Sequence, residues 1–170
     1  MALELLDGAG AVGAPPDFGS VTRDTFVSGQ QPKLTLTQAL NVAVTVARAG
    51  AWLHDHELMH GDIYLHNTLR VAAAESKNDV VRLSDFGAAC AYDRAQFPLM
   101  EKIEVRSFGW LVEDLLSWIA PERSGEGASE EVVDPMQAMD VLRNVANACS
   151  HEELERVPSF SAVLAALDME

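Results

Sequence analysis

Residues 60–67 read His-Gly-Asp-Ile-Tyr-Leu-His-Asn, and Asp85-Phe86-Gly87 begins eighteen residues after Asn67. The segment between these two motifs contains Thr-Leu-Arg-Val at 68–71 and Val-Val-Arg-Leu at 80–83. Both runs are typical of β-strands, and the polar residues that precede the second run are prone to form a turn. The sequence therefore predicts one short β-hairpin with a polar, acidic motif on each side of it.

The rest of the chain is dominated by helical patterns. Apolar residues recur at helical spacing in four segments, and the first of them opens with Thr35 and Gln38, a capping-box pair. The four predicted helices begin near Thr35, Val105, Met136 and Pro158. The expected fold class is mainly α, with four or more helices and one small β-hairpin.

Composition limits the classes of partner and location. The chain has 170 residues, 48% of them hydrophobic, which suits a single globular domain. A net charge of −14 argues against nucleic acid or an anionic membrane surface as a partner. Two cysteines are too few for a disulfide framework, and the sequence shows neither a secretory signal nor an apolar run of membrane-spanning length. We therefore expect a cytoplasmic protein.

The two motifs together resemble a known family. Residues 60–67 are similar to the catalytic loop of protein kinases, His-x-Asp-Leu-x-x-x-Asn, and residues 85–87 to that family's Asp-Phe-Gly motif. Residues 53–60, 104–109 and 156–160 also resemble kinase C-terminal-lobe segments, in the same order. The resemblance implies a bacterial-type kinase C-lobe as one domain over 1–170, in which the hairpin carries the catalytic loop and the Asp-Phe-Gly motif. Within it, 1–7 would be a remnant of the hinge and last N-lobe strand, 8–34 a loop and 35–170 the helical lobe.

The same resemblance implies the roles of three polar residues. Asp62 would be the catalytic carboxylate that holds the attacking hydroxyl, and Asn67 and Asp85 would complete the catalytic set as ligands of Mg²⁺. Such a site must bind one metal ion and one attacking hydroxyl at the same time. Asp85 and Asn67 are therefore expected to converge on a common point, with Asp62 facing the same cleft. The implied cofactors are ATP and Mg²⁺.

The nucleotide contacts implied by the resemblance are Glu4, Leu6 and Leu69. Backbone groups of Glu4 and Leu6 would meet the adenine edge, although a frayed terminal segment is an open alternative for this stretch. A complete kinase also needs a Gly-rich loop and a lysine on a strand ahead of the catalytic loop. Lys33, Lys77 and Lys102 are the lysines of the chain, and the sequence around each of them does not match. The expectation is that the N-lobe is missing and that this chain alone is inactive.

Several positions depart from the family pattern. Gly61 replaces the Arg that normally follows the catalytic-loop His, and Tyr64 replaces the Lys that steadies the transferred phosphate. His66 stands where tyrosine kinases carry an Arg, which implies a partial substitute for that cation. Glu104 stands where the family's Asp braces the catalytic loop, and we expect it to keep that role. His60 is expected to pack beneath the ring of Phe86 as a structural residue.

The far end of the lobe carries one more implied contact. Arg156 corresponds to the family's Arg before the last helix, which pairs with a Glu of an Ala-Pro-Glu motif that this chain lacks. Because a guanidinium in a helical core needs a carboxylate, we expect Arg156 to pair with Glu101. A solvated Arg156 is the alternative.

Three functions are compatible with these observations. The first is a protein kinase catalytic domain fragment that transfers phosphate from ATP to a protein hydroxyl when an N-lobe completes it. The second is a pseudokinase-like interaction module without turnover, favoured by the lost Lys. The third is a small-molecule kinase of the aminoglycoside-phosphotransferase type, which also favours His-Gly-Asp. The implied partners are a nucleotide and either a protein substrate or a partner that covers the face left by the absent N-lobe.

Overall fold

The computed structural model describes residues 6–20, 23–25, 34–71, 79–120 and 134–168. Within this part of the chain it contains four α-helices and five short strands. The helices are α1 (Leu36–Asp55), α2 (Met100–Trp118), α3 (Pro135–Cys149) and α4 (Phe160–Leu167). The strands are β1 (Gly10–Ala11), β2 (Leu58–Met59), β3 (Thr68–Val71), β4 (Val80–Leu83) and β5 (Cys90–Ala91). The prediction of a mainly helical fold with a small sheet is confirmed.

Local sequence signals explain where three of the helices begin. The side chain of Thr35 accepts the backbone N–H of Gln38, whose side chain accepts the N–H of Thr35, so the predicted capping box is confirmed. Asp134 caps α3 ahead of a proline at its first position, and Ser159 caps α4. Each cap satisfies a backbone donor that the first helical turn leaves without a partner. None of the helices in the described ranges is long and apolar enough to cross a membrane.

The core is formed where the four helices meet. The rings of Phe108 from α2 and Phe160 from α4 are fully buried and meet edge to face with their centroids 5.7 Å apart. Helix α1 approaches Phe160 at Gly50, where an added Cβ would lie 2.8 Å from the ring. A larger residue at this position would separate the two helices. The close packing of α1 against α4 therefore depends on a glycine.

The predicted hairpin is confirmed, and β1 enlarges it to a three-stranded sheet. Strands β3 and β4 pair antiparallel, and β1 pairs with the other edge of β3, with Ala11 opposite Leu69. The backbone N–H of Val12 continues this edge by donating to the carbonyl of Thr68 at 2.8 Å. The prediction of an uninterrupted loop over 8–34 is wrong for Gly10–Ala11. Two residues are too short for a recognisable pattern, and the open edge of β3 provides their partners.

The strand pairing decides where the polar motifs lie. Residues 60–67 connect β2 to β3, and Asp85 lies in the connection from β4 to β5. Because β2 pairs with β5 and β3 pairs with β4, the two connections run side by side between the same pair of sheets. The topology therefore brings the two motifs of the sequence together.

Candidate active site

Asp62 and Asn67 are hydrogen bonded to each other within the loop 60–67. The side-chain amide of Asn67 donates to the Oδ2 atom of Asp62 at 2.8 Å and to the Asp62 carbonyl at 3.0 Å. Asn67 is buried, whereas 39% of the Asp62 side chain is exposed. The buried amide thus orients a carboxylate that solvent, or a substrate, can reach. Since Nδ2 of Asn67 is the atom used for Asp62, its oxygen Oδ1 points away from this bond.

Ser84 ties the Asp85 segment to this loop. Its backbone N–H and its hydroxyl both donate to the carbonyl of Asn67 at 2.8 Å. Its own carbonyl accepts a hydrogen bond from Nε2 of His60 at 2.9 Å. The ring of His60 also lies edge-on to Phe86 with centroids 4.6 Å apart, which is the contact expected from the sequence. Asp85 is therefore held next to the loop by its two neighbours in the chain.

Asp85 itself has an unusual backbone conformation. Its φ of 56° and ψ of 73° are left-handed, a region that Asp enters more readily than most residues. Its Oδ1 atom accepts the backbone N–H of Gly87 at 3.2 Å, and the residue is exposed. This bond offsets part of the backbone strain. The carboxylate remains at the surface, where a ligand can reach it.

Glu104 on α2 braces the start of the loop, as the sequence analysis expected. Its buried carboxylate accepts the backbone N–H of His60 at 3.1 Å and that of Gly61 at 2.6 Å. Nε2 of His54 donates to the same carboxylate at 2.7 Å, while Nδ1 of His54 lies 2.8 Å from the Tyr92 hydroxyl. A buried charge needs such a full set of partners. The loop 60–67 is consequently anchored to helices α1 and α2 at once.

Gly61 is required by the same arrangement. Its φ is +81°, and a Cβ added here would lie 2.5 Å from the carbonyl oxygen of Ala88. The left-handed conformation and the close backbone contact both exclude a larger side chain. The position that holds an Arg in the family pattern therefore accepts only glycine in this loop conformation.

Two contacts to the loop come from a segment that the sequence analysis did not identify. The buried carboxylate of Asp24 accepts the backbone N–H of Leu65 at 2.6 Å and lies 2.6 Å from Nδ1 of His66. The preceding Arg23 pairs with Asp114 at 2.5 Å on α2. No motif marks these residues, because Arg23 and Asp24 lie in a stretch that reads as loop. The contribution of Arg23 and Asp24 to the site is visible only from their hydrogen bonds to residues that are distant in the sequence.

The rings of Tyr64 and His66 lie near Asp62, at two positions where the family pattern has cations. The ring of Tyr64 stacks on His66 with centroids 5.4 Å apart and planes at 23°. Burial raises the pKa of the Tyr64 phenol, and the nearby charges of Asp62 and Asp24 raise it further. The phenol is therefore neutral at physiological pH, so this position carries no positive charge.

The three predicted nucleotide contacts are only partly described. The carbonyl of Leu6 accepts the N–H of Ala9 at 3.3 Å in a turn, and Leu69 is half-buried on β3 opposite Ala11. Glu4 lies outside the described residues. Leu6 and Leu69 thus belong to the two chain segments that the β1–β3 pairing brings together.

The donor set fits magnesium. The described residues contain no group of three or more His, Cys, Asp or Glu side chains that could hold a metal ion by themselves. Magnesium is usually held by one or two carboxylates, with substrate phosphates and water completing its octahedral shell. The carboxylate of Asp85 and the amide oxygen of Asn67 are hard oxygen ligands of this kind. Asn67 lies in the connection from β2 to β3 and Asp85 in the connection from β4 to β5, and the hydrogen bonds of Ser84 join these two connections.

Comparison with known proteins gives one family. Residues 18–128 match the family model described as "Protein tyrosine and serine/threonine kinase". A search of curated proteins finds no match. The matched range covers more than half of the chain and includes both the loop 60–67 and Asp85-Phe86-Gly87.

Proposed function

Because this chain belongs to the protein tyrosine and serine/threonine kinase family, we propose that residues 1–170 are the C-terminal lobe of a bacterial-type protein kinase. Completed by an N-lobe, this lobe transfers phosphate from ATP to a protein hydroxyl. The observation that carries the proposal is the 2.8 Å hydrogen bond from Asn67 to Asp62. It joins the proposed catalytic carboxylate to a proposed metal ligand.

Asp62 would act on the acceptor. Its exposed carboxylate accepts a hydrogen bond from the attacking hydroxyl and so orients the oxygen towards the phosphate. Asn67 keeps the carboxylate in place from the buried side. Since phosphoryl transfer depends on position and electrostatics more than on covalent chemistry, this orientation is the main contribution expected from Asp62.

Asn67 and Asp85 would hold the metal ion. Mg²⁺ bound with ATP would supply the positive charge that neutralises the phosphate oxygens. In this acidic chain that charge would also offset the repulsion between the carboxylates of the site and the phosphates. Ser84 and His60 maintain the relative position of the two ligands through backbone and side-chain hydrogen bonds.

The proposal includes the inactivity of the isolated chain. Its lysines do not stand in the sequence context of the lysine that normally contacts the phosphates. Each preorganised donor removed from such a site costs about 2.7–4 kcal/mol of transition-state stabilisation. We expect weak magnesium-dependent nucleotide binding and no measurable phosphoryl transfer.

The test is the binding of a fluorescent ADP analogue with and without Mg²⁺, together with an ATP turnover assay. Asp85→Asn should abolish the magnesium-dependent part of the binding. Asp140→Asn, on the exposed surface of α3, is the matched control and should bind as the wild type does. Binding that is independent of both Mg²⁺ and Asp85 would contradict the metal site. Robust turnover that Asp62→Asn abolishes would contradict the inactivity of the chain.

A pseudokinase-like module is the second candidate. It is favoured by Tyr64, whose neutral ring stands where the family pattern has the phosphate-steadying lysine. The two proposals can be distinguished by joining the chain to a small lobe that carries a Gly-rich loop and a strand lysine, and measuring ATP turnover. The kinase proposal requires turnover from that protein, and the pseudokinase proposal requires none. The protein-kinase match makes a small-molecule kinase the weakest of the three.

A partner surface also follows from the proposal. Phe86 is 46% exposed and Leu69 is half-buried, and in this proposal an N-lobe or another protein would cover both residues. Leu5, also expected there, lies outside the described residues. Self-association that is seen by sedimentation and is reduced by Phe86→Ser would support this partner surface. Met136→Ser is the matched control, because Met136 is an exposed apolar residue on α3. A wild-type protein that is monomeric and binds no hydrophobic dye would count against it.

A further inference from the structure

The proposed metal ligand Asn67 lies on a short 3₁₀ helix, Leu65–Asn67, that its own sequence leaves uncapped. Tyr64 precedes this helix and makes no capping hydrogen bond with its side chain. The first N–H groups of a helical turn find no partner within the turn. Leu65 is fully buried, and an unpaired N–H in a buried position is costly. Another part of the chain must therefore supply the acceptor.

Asp24 supplies it from outside the loop 60–67. Its Oδ2 atom accepts the backbone N–H of Leu65 at 2.6 Å, and its Oδ1 atom lies 2.6 Å from Nδ1 of His66. The side chain of Asp24 is 0% exposed, so water does not compete for these contacts. The carbonyl of Leu65 in turn accepts the N–H of Gly13 at 3.1 Å. Both backbone polar groups of Leu65 are thus held by residues that precede α1.

Arg23 fixes the position of Asp24 relative to the core. Its Nη1 atom donates to Glu113 at 2.8 Å, and its Nε and Nη2 atoms donate to Oδ1 of Asp114 at 3.0 Å and 2.5 Å. Nη2 also donates to the carbonyl of Trp110 at 3.3 Å. All three guanidinium nitrogens therefore bind α2, and the planar fork of an arginine fixes their relative directions. The adjacent Asp24 is held by this attachment to a core helix.

We propose that Arg23 and Asp24 are positioning residues that form a tether from α2 to the turn 65–67 and so hold Asn67 where it binds Mg²⁺. Both residues act through the backbone of Leu65. The carboxylate and the guanidinium have separate tasks, because Asp24 caps the turn and Arg23 places Asp24. The effect on Mg²⁺ rests on the proposed function, whereas the tether does not.

The first measurement is a Mg²⁺ titration of the binding of a fluorescent ADP analogue to the whole chain. Asp24→Ala should raise the Mg²⁺ concentration for half-maximal binding about 10–100-fold, as the loss of a residue that supports a metal ligand commonly does. Arg23→Met should raise it in the same direction. Because the two residues act through one tether, the double variant should bind no worse than Asp24→Ala.

Glu101→Ala is the matched control for this titration. Glu101 also accepts the backbone N–H that opens a helix, that of Phe160 on α4. Its loss removes the same kind of contact at a different helix. The Mg²⁺ requirement should therefore stay at the wild-type value in Glu101→Ala.

The second measurement is the hydrogen exchange of the Leu65 amide by NMR, which requires no nucleotide. Its rate is divided by that of Leu111 in α2, so that the ratio reports local opening rather than a general loss of stability. The ratio should rise about 10–100-fold in Asp24→Ala, as expected for a lost buried hydrogen bond. It should also rise in Arg23→Met and stay unchanged in Glu101→Ala.

An unchanged exchange ratio in Asp24→Ala would overturn the tether. An unchanged Mg²⁺ requirement in a variant whose wild type binds with Mg²⁺ would overturn the positioning role, and additive effects would show that Arg23 does not act through Asp24. If Asp24→Ala does not fold, as judged by circular dichroism, Arg23→Met decides by both measurements, since its side chain is 36% exposed. A wild type without magnesium-dependent binding would refute the proposed function, and the exchange ratio would still decide the tether.

Discussion

The carboxylate of Glu104 accepts the backbone N–H of Gly61 at 2.6 Å across forty-three residues of sequence. This contact fixes the start of the loop 60–67 to the buried face of α2. Because the same carboxylate also binds the backbone of His60 and the ring of His54, it has partners for both oxygens. The geometry of the site therefore depends on a buried residue that lies outside the loop.

Replacing Glu104 by Gln should destabilise the protein. The amide has one acceptor oxygen and one donor group, so at least one of the buried N–H groups would face another donor. We expect the free energy of unfolding to fall by about 1–3 kcal/mol, measured by urea denaturation. Glu155→Gln, on an exposed residue, is the control and should stay within about 0.5 kcal/mol of wild type. An equally small effect of Glu104→Gln would show that the brace contributes nothing.

Replacing Gly61 by Ala should also destabilise the site. The left-handed conformation costs a non-glycine residue about 1–2 kcal/mol, and the contact with the Ala88 carbonyl adds to that cost. The matched control is Gly10→Ala, since a Cβ at Gly10 meets nothing within 4 Å and its φ is not left-handed. Comparison of the two thermal unfolding curves measures the difference. Equal melting temperatures would mean that Gly61 is not constrained as the structure indicates.

The expected pairing of Arg156 with Glu101 is wrong. Glu101 accepts the backbone N–H of Phe160 at 2.9 Å, at the start of α4, and Arg156 pairs with Glu153 while its side chain is 65% exposed. Glu101→Ala should therefore cost about 1–2 kcal/mol through the lost helix-terminus contact, and Arg156→Met little. In a double-mutant cycle on urea unfolding the two effects should add within about 0.5 kcal/mol. A larger coupling energy would mean that Arg156 and Glu101 do interact, as the sequence predicted.

The two cysteines should differ strongly in reactivity. Burial raises the pKa of the Cys149 thiol to about 12, while Cys90 is exposed on β5. The thiolate is the reactive form, and a raised pKa keeps Cys149 protonated even at mildly alkaline pH. A thiol reagent should therefore modify Cys90 in the native protein and Cys149 only after denaturation. Mass spectrometry of peptides from the labelled protein would locate the modification, and rapid native labelling of Cys149 would contradict its burial.

Local sequence determined much of this fold. The hairpin strands at 68–71 and 80–83 and the capping box at Thr35 follow from short-range patterns, because each involves residues a few positions apart. The spacing of Asp62, Asn67 and Asp85 likewise identified the candidate site, and their roles remain predictions. The start of α2 was placed too late. Helix α2 begins at Met100, ahead of the apolar repeat that identified it.

Only the tertiary structure decided which distant groups meet. Asp24 contacts His66, forty-two residues further along the chain, and Arg23 contacts Asp114, ninety-one residues away. Glu101 contacts the backbone of Phe160 across fifty-nine residues. Apolar periodicity predicts which face of a helix is buried, but it does not specify the partner of a buried charge. That partner depends on how the elements pack, and any carboxylate brought within reach can satisfy the same donor. The chain therefore encodes its elements locally and the partners of its charged residues only through the complete fold.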